Sequence, residues 1–189
     1  MNQSPIHILG IAGSLRKESF NRKIIRNVAD QAAPEMECSI FDLQSIPLFN
    51  GDLEAGGDPA EVAEFKEAIR RADGLYIVTP EYSHGIPGVL KNALDWAGSM
   101  TNENALDGKP AFVIGASPSI LGTAFAQVQV KQTLAAAGAI VLQQPEVYIG
   151  QVPKKLNDHG RLTDERTIRA VDKSLAAFSD WIKLHGNNR

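Results

Sequence analysis

Short apolar runs alternate with helical patterns along most of this chain. Residues 6–11 form a nearly continuous apolar run that ends in a small-residue turn at 12–14, as a strand buried on both faces does. Residues 21–33 instead place apolar side chains at helical spacing until Pro34 interrupts the pattern. We therefore predict a first strand followed by a first helix.

The same alternation continues toward the C-terminus. Further strands are predicted at 36–43, 74–79, 111–115 and 139–142, and an extension of the last past Pro145 to Ile149 is left open. Further helices are predicted at 60–72, 89–100, 120–137 and 164–184, and loops at 45–59 and 154–161. Because each parallel crossover needs a helix, five strands alternating with five helices predict a three-layered α/β fold with a parallel sheet.

Composition narrows the class of protein. A chain of 189 residues, with 43% hydrophobic and 22% charged residues, is predicted to form one domain over 1–189 with a substantial core. A formal net charge of -3 offers no basic stripe, which argues against nucleic acid as a partner. The four histidines are scattered and no cluster has metal-ligand spacing, so we predict no metal site.

The single cysteine and the N-terminal sequence bear on the cellular location of the protein. Cys38 is the only cysteine, so no intrachain disulfide can form, and its place in an apolar strand predicts a buried, inert thiol. The N-terminus has no cationic region, and the apolar run at 6–11 is too short for a signal core or a membrane span. We therefore predict a cytoplasmic location with no membrane partner.

The loop at 13–21 is the first candidate for chemistry. In an open parallel sheet, ligands bind beyond the carboxyl ends of the strands where the strand order reverses. This loop combines a glycine, hydroxyls, an amide, a guanidinium and the N–H groups of a helix start, all of which suit a phosphate. It fits neither the dinucleotide fingerprint nor the P-loop, so we predict a terminal phosphomonoester; an ordinary helix cap by Ser19 is the alternative.

Two further loops follow the predicted third and fourth strands. In the loop at 80–88, Pro80 and Pro87 fix the backbone, and its glycines let it approach a flat ligand closely. Its N–H groups can face the carbonyl and nitrogen atoms of a planar heterocycle. The small residues at 115–119 leave room for a ring edge, although Ser117 and Ser119 also suit helix caps.

Two motifs, GSLRKESFN at 13–21 and PEYSHGIPGVLKNALDW at 80–96, resemble the NAD(P)H-dependent FMN reductase family. That family includes bacterial quinone, chromate and azo-dye reductases, and the resemblance extends to about Val147. It implies a flavodoxin-like three-layer sandwich with strand order 2-1-3-4-5, FMN as cofactor, and NADPH or NADH as co-substrate. The cofactor-binding residues that it implies are Ser14, Leu15, Arg16, Ser19, Phe20 and Asn21 at the phosphate, with Pro80, Glu81, Tyr82, Ser83, His84, Gly85 and Ser117 at the isoalloxazine ring.

The resemblance also implies a reaction and an assembly. Electrons would pass from the nucleotide by a ping-pong hydride mechanism to quinones, flavins or other small acceptors such as azo compounds or chromate. His84 is a candidate proton donor, although lining the ring or the nucleotide site is the favoured role. Relatives use the helix at 89–100 and the loop at 46–50 near subunit contacts, which implies a homodimer or homotetramer. Many of them carry Asn where Ser83 stands.

Two other function classes remain open on the residues alone. A flavodoxin-type electron carrier would bind FMN without reacting with NAD(P)H, but the mild net charge argues against electrostatic docking of a protein partner. A nucleotide-binding enzyme without flavin would use Asp42 as a ribose-binding acid, but the broken glycine fingerprint argues against it.

Overall fold

The computed structural model describes residues 5–32 and 36–186. The strands are β1 (Ile6–Ala12), β2 (Met36–Phe41), β3 (Gly74–Thr79), β4 (Pro110–Ala116), β5 (Ile140–Val141) and β6 (Tyr148–Ile149). The α-helices are α1 (Phe20–Ala32), α2 (Gly51–Glu54), α3 (Ala60–Arg71), α4 (Gly88–Ala97), α5 (Ala124–Ala136) and α6 (Glu165–His185), with 3₁₀ turns at Leu43–Ser45 and Val152–Lys154. The predicted end of the first helix at Ala33, with Pro34, lies outside the described residues.

The strands within the described ranges form one parallel sheet in the order β2-β1-β3-β4-β5, with β6 also paired to β4. This confirms the predicted flavodoxin-like fold and strand order. Strands β3 and β4 are buried along their whole length, which is why they appear in the sequence as unbroken apolar runs. The order reverses between β1 and β3, so their carboxyl ends flank the crevice where ligands bind in such sheets.

Two apolar cores lie on opposite faces of the sheet. Successive strand side chains point to opposite faces, so Leu75 and Ile77 enter one core while Tyr76 and Val78 enter the other. Helices α3, α4 and α5 cover the first core, and α1 and α6 cover the second. The buried Trp96 of α4 belongs to the first core, as its predicted packing role requires.

The last strand predicted at 139–142 is confirmed as the shorter β5, and the extension that was left open is not continuous with it. β5 pairs only with the start of β4, and β6 pairs only with its end, so two short strands replace one. The possible extension to Ile149 therefore corresponds to a separate strand. Each piece has two residues, and a two-residue segment carries no periodic pattern that sequence reasoning could detect.

Several element boundaries differ from the predictions for local reasons. α4 ends at Ala97 rather than at residue 100, because the backbone of Gly98, with φ of -95° and ψ of 2°, leaves helical values. α5 begins at Ala124 rather than at 120, because Gly122 and Thr123 have φ of 59° and 69°, outside helical values.

The segment at 45–59, predicted to be a loop, contains the short helix α2 and is bound to α4. The Pro47 carbonyl accepts hydrogen bonds from Trp96 Nε1 at 2.9 Å and from Asn92 Nδ2 at 2.8 Å. The Phe49 ring meets the Trp96 ring edge-on at 4.9 Å. Between these contacts Leu48 remains largely exposed. Of the helices described, not one combines the length and apolar character needed to cross a membrane.

Candidate functional site

Three loops meet at the carboxyl edge of the sheet, where β1, β3 and β4 end side by side. The Gly13 N–H donates to the Val78 carbonyl at 3.0 Å, which joins the first loop to β3. A Cβ on Gly13 would lie 3.0 Å from Leu90 Cδ2 and 3.2 Å from Pro80 Cδ, closer than most Cβ contacts. Glycine at this position therefore lets the first and second loops approach each other.

The first loop, residues 13–19, presents backbone donors around the start of α1. Ser14 Oγ accepts the Arg16 N–H at 3.3 Å, and Ser19 Oγ accepts the Arg22 N–H at 3.4 Å. Ser19 therefore does cap α1, as the alternative interpretation predicts. Five other backbone N–H groups donate to no acceptor within the described residues; they belong to Leu15, Lys17, Glu18, Phe20 and Asn21.

The charge around these donors favours an anion. The amino end of α1 carries the positive end of the helix dipole, and Arg16 and Lys17 stand exposed beside it. A phosphate monoester offers several acceptor oxygens, which match such a set of unpaired N–H groups and a guanidinium. The terminal phosphate of FMN therefore fits the residues present.

Asn21 connects the first loop to the end of β4. Its Nδ2 donates to the Ala116 carbonyl at 3.0 Å, and its Oδ1 accepts the Ala116 N–H at 2.9 Å. The side chain is only 3% exposed, so its amide is occupied inside the protein. Asn21 was predicted to bind the phosphate with its neighbours. Its side chain instead binds the end of β4, and only its backbone N–H has no acceptor among the described residues.

The second loop contains a two-residue hairpin turn. The Gly85 N–H donates to the Tyr82 carbonyl at 3.0 Å, and the Tyr82 N–H donates to the Gly85 carbonyl at 3.3 Å. Ser83 and His84 between them have φ of 49° and 57°, as the central residues of a type I′ turn do. The N–H groups of both have no acceptor among the described residues, so they can face the polar edge of a heterocycle.

Two side chains join the second loop to helix α5, one from the helix and one from the loop. Gln129 Oε1 accepts the Ile86 N–H at 3.0 Å, and Gln129 Nε2 donates to the His84 carbonyl at 3.1 Å. Glu81 Oε2 accepts the Ala126 N–H at 3.0 Å in the first turn of α5. Gln129 was not predicted as a site residue, because it lies 43 residues from Ile86 and only the fold brings the two together.

The third loop is closed by the neighbouring β6. Ser117 donates its N–H to the Ile149 carbonyl at 3.1 Å, and its hydroxyl lies 2.9 Å from the Ser119 hydroxyl. Neither serine caps α5, which begins five residues after Ser119 at Ala124. All thirteen predicted cofactor residues thus lie in three loops, or the first turn of α1, at one edge of the sheet.

A comparison with protein families decides between the remaining function classes. Residues 6–154 match the family model described as NADPH-dependent FMN reductase. The chain belongs to that family. It is therefore an oxidoreductase whose cofactor is FMN and whose co-substrate is a nicotinamide nucleotide, as the two sequence motifs predict.

Individual relatives agree over nearly the whole chain. The chain is 40% identical to an NAD(P)H-dependent FMN reductase of Pseudomonas aeruginosa, covering 94% of this chain and 96% of the relative. It is 36% identical to a quinone reductase of Pseudomonas putida, covering 93% and 94%. Among solved structures, the flavoenzyme NAD(P)H:(acceptor) oxidoreductase FerB of Paracoccus denitrificans superposes with a TM-score of 0.88 at 35% identity, covering 95% of this chain and 98% of that one.

Two residues outside the three loops have other roles. Asp42, the candidate ribose-binding acid, pairs with Arg22 Nη2 at 2.6 Å and accepts the Gln44 N–H at 3.1 Å. Both of its oxygens are thus engaged within the protein. Cys38 is half-buried rather than buried as predicted, and its partial burial raises the pKa of the thiol to about 11, which agrees with the predicted inertness. In the ranges 5–32 and 36–186, no three His, Cys, Asp or Glu residues group as metal ligands do.

Proposed function

We propose that the enzyme binds FMN with the three loops at the carboxyl edge and transfers electrons from NADH or NADPH to small acceptors by a ping-pong mechanism. Bound FMN supplies the redox chemistry, and the protein orients the ring and excludes side reactions. The nucleotide and the acceptor would use the same open side of the ring in turn. The acceptors we propose are quinones and flavins, with azo compounds and chromate as further candidates.

The set of unpaired N–H groups in the first loop is the observation that carries this proposal. The first N–H groups of a helix have no partner within it, so free donors at the start of α1, beside the exposed Arg16 and Lys17, offer a place for an anion. The second loop lies directly against it through Gly13 and Pro80. FMN bound with its phosphate in the first loop would therefore have its ring beside the second loop.

The first and second loops differ in the chemical groups that they can select. The first loop offers charged and directional donors, whereas the second exposes Tyr82 and His84 on an open surface. An open surface over a flat ring discriminates weakly among small flat acceptors, since few groups there could reject one. This supports a broad acceptor range and favours quinones, which the relatives from Pseudomonas putida are named for.

Anaerobic absorbance titration of the FMN-reconstituted protein with NADH and with NADPH tests the proposal. We expect the flavin absorbance to bleach within the mixing time with at least one nucleotide, and to return when a quinone is added. Bound FMN that neither nucleotide bleaches would instead support the flavodoxin-type electron carrier. A protein that gains no flavin absorbance would contradict FMN binding by these loops.

A symmetric assembly is part of the same proposal. Leu48 of the 45–59 segment and Phe125 and Val128 of α5 are large apolar side chains that remain exposed. We propose that they pack in a homodimer or homotetramer of single-domain chains located in the cytoplasm. Sedimentation velocity of the wild type and of Leu48→Asp tests the assembly, and a monomeric wild type would contradict it.

A further inference from the structure

A chain of contacts joins the exposed imidazole of His84 to the amino end of α5. Glu81 Oε1 lies 3.4 Å from His84 Nδ1, while Glu81 Oε2 accepts the Ala126 N–H at 3.0 Å. The Glu81 side chain is 10% exposed, whereas the His84 side chain is 72% exposed. The carboxylate is thus fixed inside the protein, and the imidazole that it faces stands at the surface.

The backbone at His84 is held in an unfavourable conformation. Non-glycine residues in the left-handed region are uncommon, and here Ser83 and His84 both occupy it. Gln129 binds both the His84 carbonyl and the Ile86 N–H, which supports the turn from α5. Strained residues that are held in place by their neighbours are frequent at functional sites. In this turn the strained backbone presents the His84 side chain at the surface.

The orientation of the ring follows from its neighbours. Glu81 faces Nδ1, and the Phe125 ring of α5 meets the imidazole edge-on with centroids 5.0 Å apart. Facing His84 from α5 are Phe125 and Gln129, both uncharged; the charged partner recorded for it in the described structure is Glu81, from its own loop. A carboxylate at Nδ1 favours the proton on that nitrogen, which leaves Nε2 of the exposed ring for a reaction partner.

The proposed reaction requires a proton at this place. A quinone becomes a hydroquinone by taking up two electrons and two protons, and both electrons arrive from the reduced cofactor with one hydrogen. The second oxygen must then receive a proton from another donor. His84 is the titratable side chain of the second loop that is both exposed and oriented by a buried carboxylate.

We infer that His84, oriented by Glu81, donates this second proton to the acceptor. The imidazolium Nε2–H bond breaks, an O–H bond forms on the oxygen of the quinone, and water returns the proton to Nε2. No electrons move through the imidazole, and the reductant is the nicotinamide nucleotide of the overall reaction. The inference rests on the proposed function, because it requires a quinone beside a flavin bound at these loops. Glu81 is a positioning residue in this scheme.

Two acceptors of different chemistry separate the effect of proton transfer on the rate from the effect of electron transfer. 1,4-Benzoquinone needs protons to become a hydroquinone, whereas ferricyanide accepts electrons without them. In stopped-flow experiments each variant, first reduced with NADH, is mixed with either acceptor, and the ratio of the two rates is compared. We expect His84→Phe to lower the benzoquinone-to-ferricyanide ratio by about 10²-fold, the scale of general-acid catalysis. Glu81→Gln should lower it less, and the control His159→Phe, in a distant loop, should leave it at the wild-type value.

Imidazole ¹⁵N NMR gives a readout that does not depend on turnover. In the wild type we expect the Nδ1-protonated form of His84 to predominate in its neutral state, and Glu81→Gln should shift the balance toward Nε2–H. Circular dichroism confirms that each variant is folded. A wild-type rate ratio in folded His84→Phe, with FMN bound and reduced by NADH, would overturn the inference while leaving the proposed function intact. Failure of FMN to bind the wild type would overturn both.

Discussion

The first and second loops of the site are built in opposite ways. In the first loop and the first turn of α1, five backbone N–H groups have no acceptor among the described residues, and Arg16 stands exposed beside them. In the second loop the turn at 82–85 closes on itself, and Gln129 and Glu81 bind it to α5. The first loop lacks partners that a ligand can supply, whereas the second is held in shape by the protein and leaves the N–H groups of Ser83 and His84 without an acceptor among the described residues.

This difference indicates that the first loop determines the affinity for FMN, whereas the second determines what happens at the ring. Free donors gain their full interaction when an anion arrives, so the first loop suits tight recognition of a phosphate. A turn fixed in advance loses little entropy when a ring binds, so the second loop suits precise placement of side chains. We therefore expect changes in the first loop to affect FMN affinity most, and changes in the second to affect what happens at the ring.

Asn21→Ala should have the largest effect, because Asn21 joins the first loop to β4. Removing its amide leaves the Ala116 N–H and carbonyl unsatisfied in a buried place, which should lower the free energy of unfolding by about 2–4 kcal/mol. Urea denaturation measures this loss. FMN affinity of the folded fraction, followed by flavin fluorescence, should fall as well.

Asn27 provides the matched control on the same helix. Its amide donates to the Gly160 carbonyl and accepts the Leu162 N–H, each at 2.9 Å, away from the three loops. Asn27→Ala should therefore lower stability to a similar extent while FMN affinity stays at the wild-type value. Equal losses of FMN affinity in the two variants would show that Asn21 acts only through global stability.

Arg16→Ala should weaken FMN binding without weakening the fold. Its guanidinium is exposed and makes no ion pair within the described structure, so unfolding should be unchanged. Loss of a charge-assisted hydrogen bond to the phosphate, worth about 1.5–3 kcal/mol, corresponds to a roughly 10- to 100-fold higher Kd for FMN. Riboflavin, which lacks the phosphate, is the control ligand. An equal loss of riboflavin affinity would place Arg16 at the ring instead.

Sequence patterns alone could predict the sheet and the edge at which the three candidate loops meet. β1, β3 and β4 are buried on both faces, so their apolar runs stand out against the polar loops that follow them. Because parallel strands end at one edge, the loops after these strands had to meet. The two motifs then named the family, which the comparison over 6–154 confirms.

The contacts that organise the loops could not be predicted in this way. Asn21 and Ala116 lie 95 residues apart, and Gln129 and Ile86 lie 43 apart, so no local pattern connects either pair. The turn at 82–85 was also missed, because Ser83 and His84 are not the Asn-Gly pair that marks a type I′ turn. Local rules fail here because tertiary hydrogen bonds determine the conformation.

Gln129→Ala tests whether α5 fixes the second loop in advance. Two neutral hydrogen bonds are lost, which should lower the free energy of local opening by about 1–2 kcal/mol. Faster amide hydrogen exchange at Ile86 and its neighbours measures that opening. The exposed Gln132, on the same helix, gives the control Gln132→Ala, which should leave exchange in the loop unchanged. Unchanged exchange in Gln129→Ala would mean that the turn is stable by itself.

Ser83→Asn should have the smallest effect, and it should stabilise the protein. A left-handed conformation costs most residues roughly 1–2 kcal/mol, and asparagine tolerates it better than serine does, so we expect a gain of at most about 1 kcal/mol. Thermal and urea unfolding measure the gain, and Ser45→Asn, an exposed position without positive φ, is the control. A loss of stability in Ser83→Asn would mean that the serine hydroxyl, rather than the backbone, sets the turn. Because the second loop is already fixed from α5, relief of its strain should leave the FMN Kd within about twofold of wild type.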